Sequence, residues 1–214
     1  MRKYLVVAGN IGAGKSTLVE LLARRLGFDP YYEPVAENPF LQDFYRDMER
    51  WAFNSQVFFL SHRVRSHRAL MDDPRSVVQD RSLYEDAEVF ARNLFERGLM
   101  SARDWEVYSE LYRTFCELLP PPDLVVYLRA ALPTLRGRIA KRGRDFEAGI
   151  SDEYLDSLNA LYESWIESFT LAPVLVVPSD RLDFVAESRD FEAIAAGIEH
   201  RLRDKQGVLF PIGM

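Results

Sequence analysis

Cysteine is nearly absent. The 214 residues contain one, Cys116, so no disulfide can close within the chain, which suits a reducing compartment. Cys116 lies in "YRTFCELL" with no candidate base beside it, and reads as a buried helix residue rather than a nucleophile. Long apolar runs are also missing. None approaches the ~20 residues a bilayer requires, and a strand pattern opens at residue 3, leaving no room for a secretory leader. A cytoplasmic protein with no membrane partner is the expectation. Excess basic charge is lacking: the net charge is -6, which disfavours a broad nucleic-acid-binding surface while leaving room for local basic clusters. Repeats and low-complexity linkers are not found. His62, His67 and His200 are scattered without metal-ligand spacing and read as structural or surface residues. Trp51, Trp105 and Trp165 read as core or interface anchors.

What is present is the balance of an ordinary globular protein, 48% hydrophobic and 28% charged, long enough for one sizeable domain over 1–214. Strand-like runs alternate with helical patterns, which predicts an α/β fold with a parallel sheet. The strand candidates are 3–8, 29–33, 76–79, 123–128 and 173–177, whose continuous Val, Leu and Tyr suggest burial on both faces. Helical patterns cover 15–26, 39–48, 51–71, 83–97, 101–118, 132–142, 151–168 and 188–203. Pro120, Pro121 and Pro122 stop one helix before the fourth strand. The stretch "KRGRDFEAG" (141–149) is too charged and glycine-rich for core and reads as a mobile surface segment. The tail 204–214 has no assignable pattern.

Between the first strand and the first helix stands "GNIGAGKST", Gly9, Asn10, Ile11, Gly12, Ala13, Gly14, Lys15, Ser16 and Thr17. It fits G-x-x-x-x-G-K-[ST] in the strand–loop–helix context that motif requires. Glycines let backbone N–H groups turn inward around a phosphate, and the following helix offers unpaired N–H groups and a positive dipole end to the same anion. Lys15 can neutralise charge between the β- and γ-phosphates, and the Ser16 hydroxyl can coordinate Mg²⁺. The signal is strong for a nucleoside triphosphate and silent about the acceptor.

The second strand ends in "YYEPV". Proline after Glu33 holds that residue extended, and carboxyl ends of parallel strands line the ligand crevice. Glu33 is therefore a candidate base for an attacking alcohol, with a solvated loop glutamate as the plain alternative. The third strand delivers Asp80, a candidate Mg²⁺ ligand, and Arg81, a candidate phosphate contact, with an Asp–Arg surface pair as the plain alternative. In "ERWAFNSQVFFLSHRVR", Gln56 and Arg63 share one helical face. Asp86 and Phe90, four apart, can hold and stack a nucleobase, although a core ring beside a surface charge explains that pair as simply. Arg138, Arg142 and Arg144 form either a solvated basic face or a flap that meets an anionic transition state.

Taken in order, "GNIGAGKST", "EPV", "ERWAFNSQ", "QDRSLYED", "KRGRDFE" and "YESWI" resemble the deoxynucleoside kinases from about residue 4 to 170, most closely the bacterial deoxyadenosine/deoxycytidine kinase branch. The resemblance implies a P-loop kinase fold, a five-stranded parallel sheet wrapped by helices with a small arginine-rich lid at about 141–149, and a homodimer. It implies Glu33 as general base, Arg81 on the phosphates and Asp80 on Mg²⁺. Gln56, Arg63 and Asp86 would read the base, with Phe90 stacking on it. Tyr45 and Glu147 would read the sugar 3′-hydroxyl, and Arg138, Arg142 and Arg144 would be the lid arginines. Departures from animal members, Asn38 after the "EPV" match and a bulky Phe59, put base preference in doubt. The expected reaction is ATP-dependent phosphorylation of a deoxynucleoside 5′-hydroxyl, deoxyadenosine foremost, with deoxyguanosine or deoxycytidine as alternatives. A nucleoside monophosphate kinase and a non-catalytic nucleotide-binding subunit are the remoter rivals.

Overall fold

The computed structural model describes residues 2–32, 38–144, 147 and 149–204. Glu33, the rest of 33–37 and most of the tail lie outside the described residues, as do Asp145, Phe146 and Ala148.

Five strands form one parallel sheet: β1 (Tyr4–Gly9), β2 (Asp29–Tyr31), β3 (Val77–Asp80), β4 (Leu124–Arg129) and β5 (Val174–Pro178), in the order β2-β3-β1-β4-β5. Their registers pair Val7 with Asp80 on one side of β1 and with Val126 on the other. The three central strands are buried except at Arg129, as their continuous apolar runs predict. Pro30 and Pro178 sit on the two edge strands, where a missing N–H costs least. The expected strands are all present. The second is shorter than expected, ending at Tyr31 rather than 33 among the described residues.

The sheet separates two unlike cores, because alternate strand side chains point to opposite faces. Leu5, Val7, Val78, Leu124, Val126 and Leu128 face one side, where Leu18 and Leu22 of α1 (Lys15–Leu26) and Ile198 of α9 (Ser188–Asp204) cover them. That side is aliphatic, and each fully buried leucine or isoleucine there contributes about 1.5–3 kcal/mol. Tyr4, Val6, Val77, Val125 and Tyr127 face the other side. Over them lie α3 (Met48–Asp72), α6 (Ala102–Leu118) and α8 (Asp152–Ser168), a cover rich in aromatics such as Tyr108, Tyr162 and Trp165. This second core also holds polar groups. Tyr4 donates its hydroxyl hydrogen to Gln79 Oε1 at 2.5 Å, and His67 packs edge-on against Tyr4.

Helix ends follow their local chemistry. Asp47, Ser101 and Ser151 cap α3, α6 and α8 by accepting backbone N–H bonds from the first turn. Gly27 and Gly143 close α1 and α7 (Leu132–Arg142) in the left-handed conformation. The expected helix 39–48 is reduced to α2 (Leu41–Arg46), because Asp47 turns the chain to cap the next helix. The pattern 83–97 is not one regular helix. It comprises α4 (Leu83–Glu85), a widened π turn over Asp86–Ala91, and α5 (Arg92–Glu96). Cys116 is half-buried on α6 rather than fully buried, and burial and the carboxylate of Glu88 push its thiol up, although Tyr112 pulls the other way. No helix among the described residues is long and apolar enough to cross a membrane.

Candidate active site

The loop between β1 and α1 lies at the carboxyl end of the sheet's central strand. Gly12 has φ 84, and a Cβ there would stand 2.9 Å from the Leu135 carbonyl; Gly14, also left-handed, opens α1. The loop is tied down from two sides. Asn10 Nδ2 donates to the Leu155 carbonyl (2.9 Å) and to Asn159 Oδ1 (2.7 Å) on α8, while Asn10 Oδ1 accepts from Ile11 N–H. Arg138 of α7 donates to the Ala13 carbonyl at 2.9 Å. Lys15 Nζ folds back onto the Gly9 and Asn10 carbonyls at 2.8 and 3.0 Å. Ser16 and Thr17 are exposed to the crevice above.

Beside the loop, β3 delivers Asp80 and Arg81. Asp80 Oδ2 accepts the Ser16 hydroxyl at 2.5 Å. Arg81 has φ 64, a left-handed backbone unusual for a side chain of its size. Its N–H still donates to Val7 O, and its guanidinium lies 4.1 Å from the centre of the Phe90 ring. Behind it, fully buried, stands Glu85. Its Oε1 accepts from Gly9 N–H at 3.2 Å and its Oε2 from Ser82 N–H at 3.0 Å. Burial pushes this carboxyl up to about 7, against the opposing pull of Arg81, Lys15 and the two N–H donors.

The opposite wall is built from α3 and the π turn. Arg63 donates through Nε to Asp86 Oδ2 (3.1 Å) and through Nη2 to Asp86 Oδ1 (3.4 Å), and through Nη1 to the Asp80 carbonyl (3.1 Å). Both side chains of the pair are almost wholly buried. Gln56 lies two turns before Arg63 on the same helix, and Tyr45 and Phe59 line the crevice nearby. The crevice continues across the loop to Arg142, Arg144 and Glu147, and then to the segment 179–186, where Phe184 packs on Gly14. Glu147 Oε2 accepts from Arg142 at 2.5 Å and its Oε1 from Arg144 at 3.4 Å. The whole space is about 1190 Å³, larger than the roughly 300–1,000 Å³ typical of a pocket for one ligand.

Comparison with known proteins decides the family. The deoxynucleoside kinase family model matches residues 5–203. A deoxyadenosine/deoxycytidine kinase of Bacillus subtilis is 37% identical over 204 residues, 94% of each chain. The chain belongs to the deoxynucleoside kinase family. A deoxyguanosine kinase of B. subtilis is 35% identical to this kinase, over 92% of its chain and 96% of the relative's. A solved deoxyadenosine kinase from M. mycoides, with the products dCMP and dCDP, superposes at a TM-score of 0.82 with 30% identity, over 92% of this kinase and 99% of that chain. The fold is thus the P-loop kinase fold that the motifs imply.

Within this kinase most of the described residues singled out from the sequence line one crevice, with Arg63 standing behind it on Asp86, and several differ in detail. Asn10 turns its side chain toward α8 and takes up the Ile11 N–H, while Ile11 packs on the core at the edge of the crevice. Arg138, expected as a lid arginine, is anchored by bonds to Ala13 O and to Ser179 Oγ and O. The segment expected to be all surface, 141–149, turns inward at Glu147, whose charge is met by two arginines. Glu33 lies outside the described residues. Sequence reasoning passed over Glu85 and Tyr162, and also the segment 179–186. The signal for Glu85 was present: Ser82-Leu83-Tyr84-Glu85 has the capping-box pattern, and its bond from Ser82 N–H to the Glu85 side chain forms here.

ATP-dependent kinases as a family work with a divalent metal. The residues here fit one. Asp80 Oδ1 is buried without a hydrogen-bond partner, beside the Ser16 hydroxyl held by Oδ2 of the same carboxylate. A carboxylate oxygen and a hydroxyl next to a phosphate loop are hard oxygen donors of the kind Mg²⁺ accepts while keeping most of its waters.

Proposed function

We propose that this kinase transfers the γ-phosphoryl group of ATP–Mg²⁺ to the 5′-hydroxyl of a deoxynucleoside, with deoxyadenosine as its preferred acceptor. The observation that carries this reading is the buried Arg63–Asp86 pair with Gln56 beside it, opening on the same crevice as the phosphate loop. An ionised Asp86 is an acceptor only and asks for a donor on the base. Adenine and cytosine present an exocyclic amine, whereas guanine and thymine present a carbonyl at the corresponding edge. A buried polar group left facing the wrong edge costs far more selectivity than a missing methylene. The named specificities of the Bacillus relative and the dATP found bound to the M. mycoides enzyme support the same choice.

The division of labour follows from positions. The loop N–H groups of Gly12 and of Gly14 to Thr17, with the α1 dipole, hold the donor phosphates, while those of Gly9, Ile11 and Ala13 are spent within the protein. Lys15 leaves the Gly9 and Asn10 carbonyls for the β- and γ-phosphates. Ser16 and Asp80 hold Mg²⁺, which when bound neutralises charge on the phosphate oxygens. Glu33 takes the 5′-hydroxyl proton, while Arg81, Arg142 and Arg144 stabilise charge on the moving group. Tyr45 and Glu147 orient the sugar, Phe90 stacks on the base, and Arg138 fixes the loop that the donor occupies. Most of the acceleration is then positioning and electrostatics, as in phosphoryl transfer generally. The same reading makes the protein a cytoplasmic homodimer of one-domain chains, with the exposed Val107, Leu111 and Leu118 of α6 as the apolar face to be covered.

The test is kcat/KM for the four common deoxynucleosides, with deoxyadenosine monophosphate as a fifth acceptor and ADP release as readout. Deoxyadenosine should lead and deoxycytidine follow, with deoxyguanosine and thymidine at least about 10²-fold lower. A lead for deoxyguanosine overturns the base assignment, and a lead for the monophosphate overturns the acceptor class.

A further inference from the structure

Glu85 touches neither the crevice nor solvent, yet it joins the two segments that carry the phosphate chemistry. Its two oxygens accept from Gly9 N–H, the first residue of the phosphate loop, and from Ser82 N–H, one residue past Arg81. The Arg81 guanidinium Nε lies 4.0 Å away. On the far side stands the Tyr162 hydroxyl of α8, 2.8 Å from the Gly9 carbonyl and 2.9 Å from Glu85 Oε1. That hydroxyl has one hydrogen and two acceptor neighbours. When it donates to Gly9 O, the contact with Glu85 is satisfied only if the carboxyl donates back. When Glu85 is ionised, the hydroxyl turns toward it and Gly9 O keeps Lys15 alone as its side-chain donor.

We propose that Glu85 is a positioning residue of the phosphoryl-transfer centre, locking Gly9 and the Arg81–Ser82 turn in one register, with its proton deciding whether Tyr162 holds the Gly9 carbonyl. The left-handed φ of 64 at Arg81 is the strained point this lock secures. Lys15 gives up the Gly9 carbonyl to reach a phosphate, and Tyr162 then supplies the replacement donor when Glu85 carries its proton. The charged and titratable groups facing Glu85 are Arg81 on its own segment, Lys15 on α1, Tyr162 on α8, and Tyr4 and Tyr127 on β1 and β4. Burial outweighs the two cations and holds the carboxyl at about 7, so both protonation states occur at working pH. The inference rests on the kinase reading above for its substrate.

The experiment compares wild type, Glu85→Gln and Tyr162→Phe in kcat and KM for ATP and deoxyadenosine from about pH 6 to 9. Glutamine matches the size of glutamate but can accept at only one of its two positions, so it sets an N–H against either Gly9 or Ser82 N–H. Glu85→Gln should lower kcat about 10- to 100-fold with KM for deoxyadenosine unchanged, and should remove an ionisation near neutrality that wild type shows. Wild-type kcat with an unchanged pH profile in that variant overturns the proposal. If Glu85→Gln does not fold, Tyr162→Phe decides: a moved inflection supports the lock and an unmoved one overturns it. Wild type that phosphorylates no deoxynucleoside fails the kinase reading instead, so the two failures are distinct.

Discussion

Two arginine–carboxylate clusters border the same crevice, and they are built in opposite ways. Arg63 and Asp86 meet between a 25-residue helix and a π turn, with 2% and 3% of their side chains exposed. Arg142, Arg144 and Glu147 meet at the end of α7 and just beyond it, with the arginine side chains 35% and 42% exposed and Glu147 only 4%. A pair shut away from water is strongly coupled to folding, because either partner alone is a stranded charge. In the second cluster water can replace the carboxylate at the half-exposed arginines, so losing Glu147 costs little, whereas losing an arginine leaves a buried carboxylate with one partner fewer. The first is suited to recognising a base by fixed geometry. The second suits guanidiniums that exchange a carboxylate for phosphate oxygens when a donor arrives.

Breaking each cluster should make the contrast measurable. Asp86→Ala should lose about 3–5 kcal/mol in urea unfolding, whereas Glu147→Ala should lose no more than about 1 kcal/mol. Equal losses would dissolve the distinction. Activity should order differently. Arg142→Ala, which leaves the buried Glu147 with Arg144 as an ion-pair partner, should lower the unfolding midpoint less than Asp86→Ala and lower kcat about 10²-fold, the scale for removing one donor to transition-state charge.

A smaller effect sharpens the comparison from beneath. His67 belongs to the same polar core as Arg63, and burial holds its imidazole down to about 4 against 6.5 when unfolded. A lowered pKa of this kind stabilises the neutral folded form above the unfolded value, and that contribution is lost as pH falls from about 6.5 through 4. Thermal unfolding between pH 7 and 4.5 should therefore fall more steeply in wild type than in His67→Phe, by an amount on the order of 2 kcal/mol. Parallel curves would remove His67 from this account.

Most of the strand and helix pattern was legible in the chain, since central parallel strands are continuous apolar runs and several helix ends carry their own caps. The phosphate loop was legible for the same reason: its glycines are demanded by local backbone conformation. Asp80 and Arg81 could be placed from the end of the third strand alone, and Lys15 from the loop motif. Other features required the third dimension. That Asn10 turns to Leu155 and Asn159 depends on contacts about 145 residues away along the chain. Arg138 has the same sequence surroundings as a solvated arginine, and only the position of Ser179 makes it an anchor. Glu147 reads as surface because charged neighbours surround it, and those neighbours are what lets it turn inward. The π turn has no periodicity of its own that separates it from an α-helix.

That turn acts as a phase shifter. Arg92 N–H reaches back five residues to the Ala87 carbonyl, so the segment holds one residue more than a regular helix of the same length. Deleting one residue there would restore the ordinary winding and rotate the residues on its amino-terminal side by about 100° relative to those on its carboxyl-terminal side. Asp86 and Phe90 would then lose their present relation, so the carboxylate proposed to read the base and the ring proposed to stack on it owe their common direction to a single inserted residue.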